Sequence, residues 1–170
     1  DLLYTRYDTA GDFTRIDRFD RVTSDIWTRG IDTGGSADYD VYRDFYDTDI
    51  SWSRGSNIDL VEDNVYPGRD VAYTNDGLER LTQAKRGTWN GSSITSPLHD
   101  EQWTLSQTGN WELYKLDLNG DTDFTDTNEL NDDQTFNVVN ELIARDIDDN
   151  GTDNYDLVYD AAGNLTDDDK

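Results

Sequence analysis

The sequence has no cysteine and no methionine, only two prolines and a single histidine. Without cysteine there is no disulfide framework, no thiol nucleophile and no thiolate metal site. A lone histidine removes most histidine-based catalytic and zinc arrangements. In "SPLHDEQW", His99 reads as a surface or packing residue. Positive charge is scarce as well: 14 Lys and Arg stand against 38 Asp and Glu, a net charge of −24. So acidic a surface disfavours nucleic acid and anionic membranes as partners. No apolar run is long enough to span a bilayer, so membrane insertion is not expected. There is no phosphate loop and no Ser-His-Asp pattern with a supporting context. With this many carboxylates, a glycosidase-like pair would arise by coincidence and carries no weight. The chain therefore reads as non-enzymatic.

What is present points to a folded β protein. Five Trp, ten Tyr and five Phe supply bulky cross-strand material. The acids are mostly Asp, which suits turns and caps better than element interiors. At 170 residues the sequence reads as one domain spanning 1–170, with no linker-like stretch. With Asp1 at its head rather than Met, it reads as a piece processed or cut from a longer chain.

The sequence also repeats itself. "YDTAGDFTR" (7–15) and "YDAAGNLTD" (159–167) share Tyr-Asp, Ala-Gly, an apolar residue and Thr. "YTNDGLERLTQ" (73–83) and "SQTGNWELY" (106–114) are weaker relatives. Each reads as strand, tight turn, strand, with the flanking residues alternating faces. Ile50 and Trp52 alternate with serines, and Val71 and Tyr73 share a face. Trp103 and Leu105 face Trp111 and Leu113 across "SQTGN". Pro67, Pro97, "GGS" (34–36) and "NGSS" (90–93) are expected in loops. In "TFNVVNELIARD" (135–146), Phe136, Val139, Leu142 and Ile143 fall at helical spacing, but the repeat context favours strand. The expected fold is an all-β twisted ribbon of antiparallel hairpins without large helices.

On these residues the chain resembles the Rhs/YD-repeat family, named for its Tyr-Asp dipeptide. "YTNDGLERLTQAKRGTWNGSS", "DEQWTLSQTGNWELY" and "TFNVVNEL" resemble successive parts of the region before the C-terminal core of long bacterial members. The resemblance covers most of the chain and is densest from Val71 onward. It implies a spiralling β-sheet ribbon, which large members wrap into a shell around a toxin and teneurins display as an adhesion module. The Asp-Pro autoproteolysis signature and a toxin domain are absent from this sequence, and its length cannot close a large shell. The expected role is thus structural: an extracellular or cell-surface β-repeat module, continued by a longer parent chain or by copies of itself in a filament. The alternatives are a carbohydrate-binding or adhesion module, with Trp27, Trp52, Trp89, Trp103 and Trp111 as a sugar-stacking strip, and a fragment of a toxin-delivery shell.

Two loops carry candidate metal chemistry. "DLNGDTDFTDTNEL" (117–130) holds seven acidic or amide side chains and no basic one. Asp117, Asn119, Asp121 and Asp123 fall at positions 1, 3, 5 and 7 of an EF-hand-like loop, a spacing that folds oxygens round Ca²⁺. Thr122 stands where such a loop prefers Gly, and Asn128 where it wants a closing Glu. Glu129, one place late, and Asp126 are the alternative closing ligands. Asp132, beyond the loop, is expected to matter less than Asp121. In "DIDDNGTDNYDL" (146–157), Asp146, Asp148 and Asn150 repeat positions 1, 3 and 5, Gly151 sits at the turn and Asn154 at position 9. Position 12 is Leu157, so the strongest ligand is missing. Three sequons, at Asn90, Asn150 and Asn164, are candidate glycan sites on an extracellular protein.

Overall fold

The computed structural model describes residues 2–5, 15–31, 41–148 and 150–168. It is all-β, with no helix among the described residues. The strands are β1 (Leu2–Thr5), β2 (Ser24–Ile31), β3 (Val41–Trp52), β4 (Ile58–Asp63), β5 (Asp70–Asn75), β6 (Leu81–Trp89), β7 (Ile94–Leu105), β8 (Trp111–Asp117), β9 (Leu130–Phe136), β10 (Leu142–Asp146), β11 (Tyr155–Asp156), β12 (Val158–Tyr159) and β13 (Leu165–Asp167). β1 to β11 follow one another in sequence order in an 11-stranded sheet, and β12 and β13 form a separate hairpin. The chain divides into two compact units, Asp1–Tyr73 with Arg86–Ser96, and Thr74–Lys85 with Pro97–Lys170.

One turn design makes most of the short hairpins. An Asp, Asn or Ser opens the turn, its side-chain oxygen accepts backbone N–H groups ahead, and the fourth residue takes a positive φ. Asp76 shows the pattern: Oδ1 accepts the N–H of Leu78 at 2.8 Å and of Arg80 at 3.0 Å, and Glu79 sits at φ 62°. Asp17, Asn137 and Asp160 do the same, with Asp20, Asn140 and Gly163 at positive φ. Ser53 and Ser106 use their hydroxyls, each accepting the N–H four residues on. The side chain supplies the acceptor that a five-residue loop lacks, which is why Asp-rich sequence suits this fold. Arginines tie neighbouring turns together. Arg80 bridges Asp76 at 2.6 Å and donates to the Ser106 carbonyl at 2.7 Å. Arg21 does likewise with Asp17 and the Ser53 carbonyl.

This rule explains residues 135–146. Strand dominates there, but a turn at 137–140 interrupts it, with Asn137 as opener. Val139, one of the four residues at helical spacing, is at the exposed tip beside Val138. The "SQTGN" hairpin forms where expected, but a bulge between Thr104 and Leu105 places Trp103 opposite Tyr114 and Leu105 opposite Trp111. Pro97 departs from expectation: it lies inside β7, after Ser96 at φ 47°, and β8 begins to pair only at Asp100. "NGSS" is a turn, whereas "GGS" and all but the last residue of "YDTAGDFTR" lie outside the described residues.

Little apolar surface is enclosed. Among the described residues the buried hydrophobic ones are Leu60 and Ala144, while the largest fully buried side chains are Asp100, Asp117 and Asp132. Buried carboxylates need compensation. Asp100 takes Lys85 Nζ at 2.9 Å and amides from Gln83 and Gln102. Asp132 takes Arg145 Nη2 at 2.6 Å and the Gln134 amide at 2.8 Å. The Asp132 hydrogen bond raises the Arg145 pKa, against the opposing pull of burial.

Candidate metal centre

Asp117 is the third fully buried aspartate, and it differs from the other two. No basic side chain pairs with it among the described residues. Its partners are backbone N–H groups: Asn119 at 3.0 Å and Gly120 at 2.5 Å on Oδ1, and Thr122 at 2.8 Å on Oδ2. These bonds fold the loop between β8 and β9 back over its own first residue. Gly120 and Thr122 both take positive φ to do so, 79° and 74°. Gly120 also lies against the Pro97 carbonyl, so a side chain there would strike backbone.

The neighbours of Asp117 are two further carboxylates. Ligand oxygens of Asp117, Asp121 and Glu129 lie within 4.8 Å of one another. Glu129 is 9% exposed; its Oε1 accepts the Leu118 N–H at 2.8 Å, and its Oε2 is buried with no hydrogen-bond partner. Three anions at this spacing repel, and a buried oxygen without a donor is costly. A hard cation satisfies both demands at once.

The structure therefore sorts the candidate ligands. Asp117, Asp121 and Glu129 converge. Asn119 sits beside them, its Nδ2 donating to Asp126 at 3.0 Å and Asp121 at 3.3 Å. Asp123 instead caps a local turn, accepting the N–H and hydroxyl of Thr125. Asp126 is exposed; its side chain accepts from Asn119, and its backbone carbonyl accepts the Glu129 N–H at 3.0 Å. Glu129, one place late in the sequence, is the closing residue that converges, and Asn128 before it adopts φ 71°. Asp132, outside the loop, has a structural partner of its own: it is buried and ion-paired with Arg145.

The second loop shares the first half of this design only. Asp146 Oδ2 accepts the Gly151 N–H at 2.7 Å, just as Asp117 Oδ2 accepts that of Thr122. Asp148 accepts the Asn150 amide at 2.8 Å, and Asn154 accepts the Ile147 N–H at 2.7 Å. No second group of three carboxylate or histidine ligands converges among the described residues. Burial raises the Asp146 carboxyl pKa, but the Gly151 N–H, a hydrogen bond with Asp148 and the Asn150 N–H outweigh it and hold it below the usual value.

The buried pairs Asp100–Lys85 and Asp132–Arg145 went unread in the sequence. Their signal is a shared Asp-x-Gln in "HDEQW" and "NDDQTF", which puts an amide beside the acid on one strand face. His99 is half-buried and bonded to Glu101 at 2.8 Å. Among the sequons, Asn164 donates its Nδ2 to Asp160 and Asn150 donates its own to Asp148, while Asn90 uses Oδ1 to accept from Ser92 and Ser93. No protein-family model matches the chain, and no curated protein matches it significantly.

Proposed function

We propose that this protein is a calcium-stabilised structural β-module of the Rhs/YD-repeat type, working outside the cell or at its surface. The observation that carries this reading is Glu129 Oε2, buried and unpartnered beside Asp117 and Asp121. Calcium suits the site better than Mg²⁺ because irregularly placed all-oxygen ligands match its larger, adaptable shell. With few side-chain ligands converging, weak affinity is expected, which suits the millimolar calcium outside cells. Repeated use of one Asx-type hairpin supports the repeat reading. The thin apolar core of the described residues and the exposed Leu78, Leu98 and Trp111 support continuation into further ribbon, either a longer parent chain or another copy. A toxin-shell fragment is the same ribbon in a different parent.

A second reading, sugar binding, is favoured by one cluster. Trp103 stacks on Tyr114 with centroids 5.9 Å apart, Tyr114 lies 5.6 Å from Trp111, and Trp111 is 49% exposed. Of the sequons, Asn90 is the one whose Nδ2 the turn leaves uncommitted, so any glycan belongs there first. The deciding experiment is light scattering with thermal melting, in Ca²⁺ and in chelator at matched ionic strength. Our reading expects a higher Tm and larger assemblies with Ca²⁺. A monomer at high concentration would remove the filament, and an unchanged Tm would remove the metal.

A further inference from the structure

A shallow, open cleft of about 560 Å³ on the face of the paired strands β2 and β3 is lined by Asp25, Trp27, Phe45 and Tyr46. Its making is local. β2 and β3 pair with Trp27 opposite Tyr46 and Thr28 opposite Asp44, so Phe45 is the extra residue of a bulge. The bulge turns consecutive aromatics toward the Trp27 face, where strict alternation would send them apart. Trp27 and Phe45 meet edge to face, centroids 6.4 Å apart at 60°. Phe45 and Tyr46 stay 40% and 44% exposed. At the end of the cleft Asp25 faces Thr48 across the strands. Asp25 Oδ1 and Thr48 Oγ1 are both buried, and neither has a hydrogen-bond partner among the described residues.

Aromatic faces round a cleft with a carboxylate at its end match one ligand chemistry. An ammonium bearing methyl groups gains from the ring quadrupoles and the anion, and has no N–H donors to lose from water. A bare cation such as Na⁺ is too strongly hydrated to prefer rings. A carboxylate-bearing ligand would be repelled by Asp25 and by the net charge. We propose that this cleft binds a small free quaternary ammonium compound of the choline kind. The site lies apart from the Asp117 loop and does not depend on the calcium reading.

The test uses the full chain, followed by NMR shifts of the Trp27 indole and the Phe45 and Tyr46 rings. Choline is compared with 3,3-dimethyl-1-butanol, its uncharged isostere, with sodium chloride matching ionic strength. We expect saturable shifts with choline, and affinity for the isostere lower by about tenfold or more. Asp25→Asn should weaken choline binding by about tenfold through loss of the charge partner. Phe45→Leu keeps apolar volume but removes a ring face, and should weaken it about threefold. Should Asp25→Asn fail to fold, Phe45→Leu and the isostere still decide. Equal binding of choline and the isostere, or no saturable shift at tens of millimolar, overturns the proposal. Phosphatidylcholine vesicles present the same headgroup on a surface. The protein should stay in the supernatant, and sedimentation that Asp25→Asn abolishes would overturn the free-solute assignment.

Discussion

The two acidic loops begin alike and end differently. In each, an aspartate at the end of a strand accepts the N–H of the sixth loop residue, at 2.8 Å from Thr122 and 2.7 Å from Gly151. In the second loop the remaining polar groups then satisfy one another, and ionised Asp146 is stabilised by backbone donors. In the first, Glu129 follows Asn128 at positive φ, and three carboxylates meet with one oxygen left unpartnered. Acid-rich spacing alone therefore makes a self-sufficient turn. The closing residue brings together three carboxylates that could hold a cation.

The largest contrast should come from the first residue of each loop. Asp117→Ala leaves three part-buried N–H groups without their acceptor, a loss on the order of 1–3 kcal/mol. Asp146→Ala should cost less and leave the calcium response intact. Urea unfolding with and without Ca²⁺ measures both.

Glu129→Gln should change sign with conditions. In chelator it removes repulsion among the carboxylates and should stabilise or leave stability unchanged. In Ca²⁺ it should forfeit the linkage gain, about 2.7 kcal/mol at a hundredfold excess over Kd. Asp148→Asn should show no such reversal.

Acidification should act on the turns in a definite order. Asp76 is held below its ordinary 3.8 by the Arg80 hydrogen bond, and Asp160 by Asn164. Their contribution is present above the unfolded value and is lost as pH falls through the lower folded one, so it fades below 3.8. Glu62 runs the other way: burial, then the charges of Asp49 and Asp70, raise it from 4.5. Ionised Glu62 costs stability above its folded value, and that cost disappears as pH drops toward 4.5. Stability against pH should show mild relief before the acid loss, and Asp76→Asn should shrink the loss.

How much of this was legible in the sequence follows the range of the interactions. Hairpin turns were readable in "YDAAGNLT" and "NDGLER" because opener, acceptor and positive-φ residue sit within five positions. Asp117 and Asp121 were readable from spacing for the same reason. What escaped depends on partners across strands. Asp132 was ranked by its place outside the loop because its partner Arg145 is a strand away. Pro97 looked like a loop residue because β7 bends at Ser96. The Phe45–Tyr46 bulge breaks alternation, and alternation was the only guide available.

The smallest effect tests the shared turn. Thr122 holds φ 74° where the second loop has Gly151 at 82°. Thr122→Gly should stabilise by up to about 1 kcal/mol, and Gly151→Thr should destabilise by about as much. Thermal melts of the exchanged pair measure it.

The most direct test of the central claim is a calorimetric titration of the full chain with Ca²⁺, beside Glu129→Gln and Asp148→Asn. The account predicts one saturable site per chain, lost in Glu129→Gln and kept in Asp148→Asn. Binding that survives Glu129→Gln, or heat no larger than that of Mg²⁺ at the same ionic strength, would contradict it.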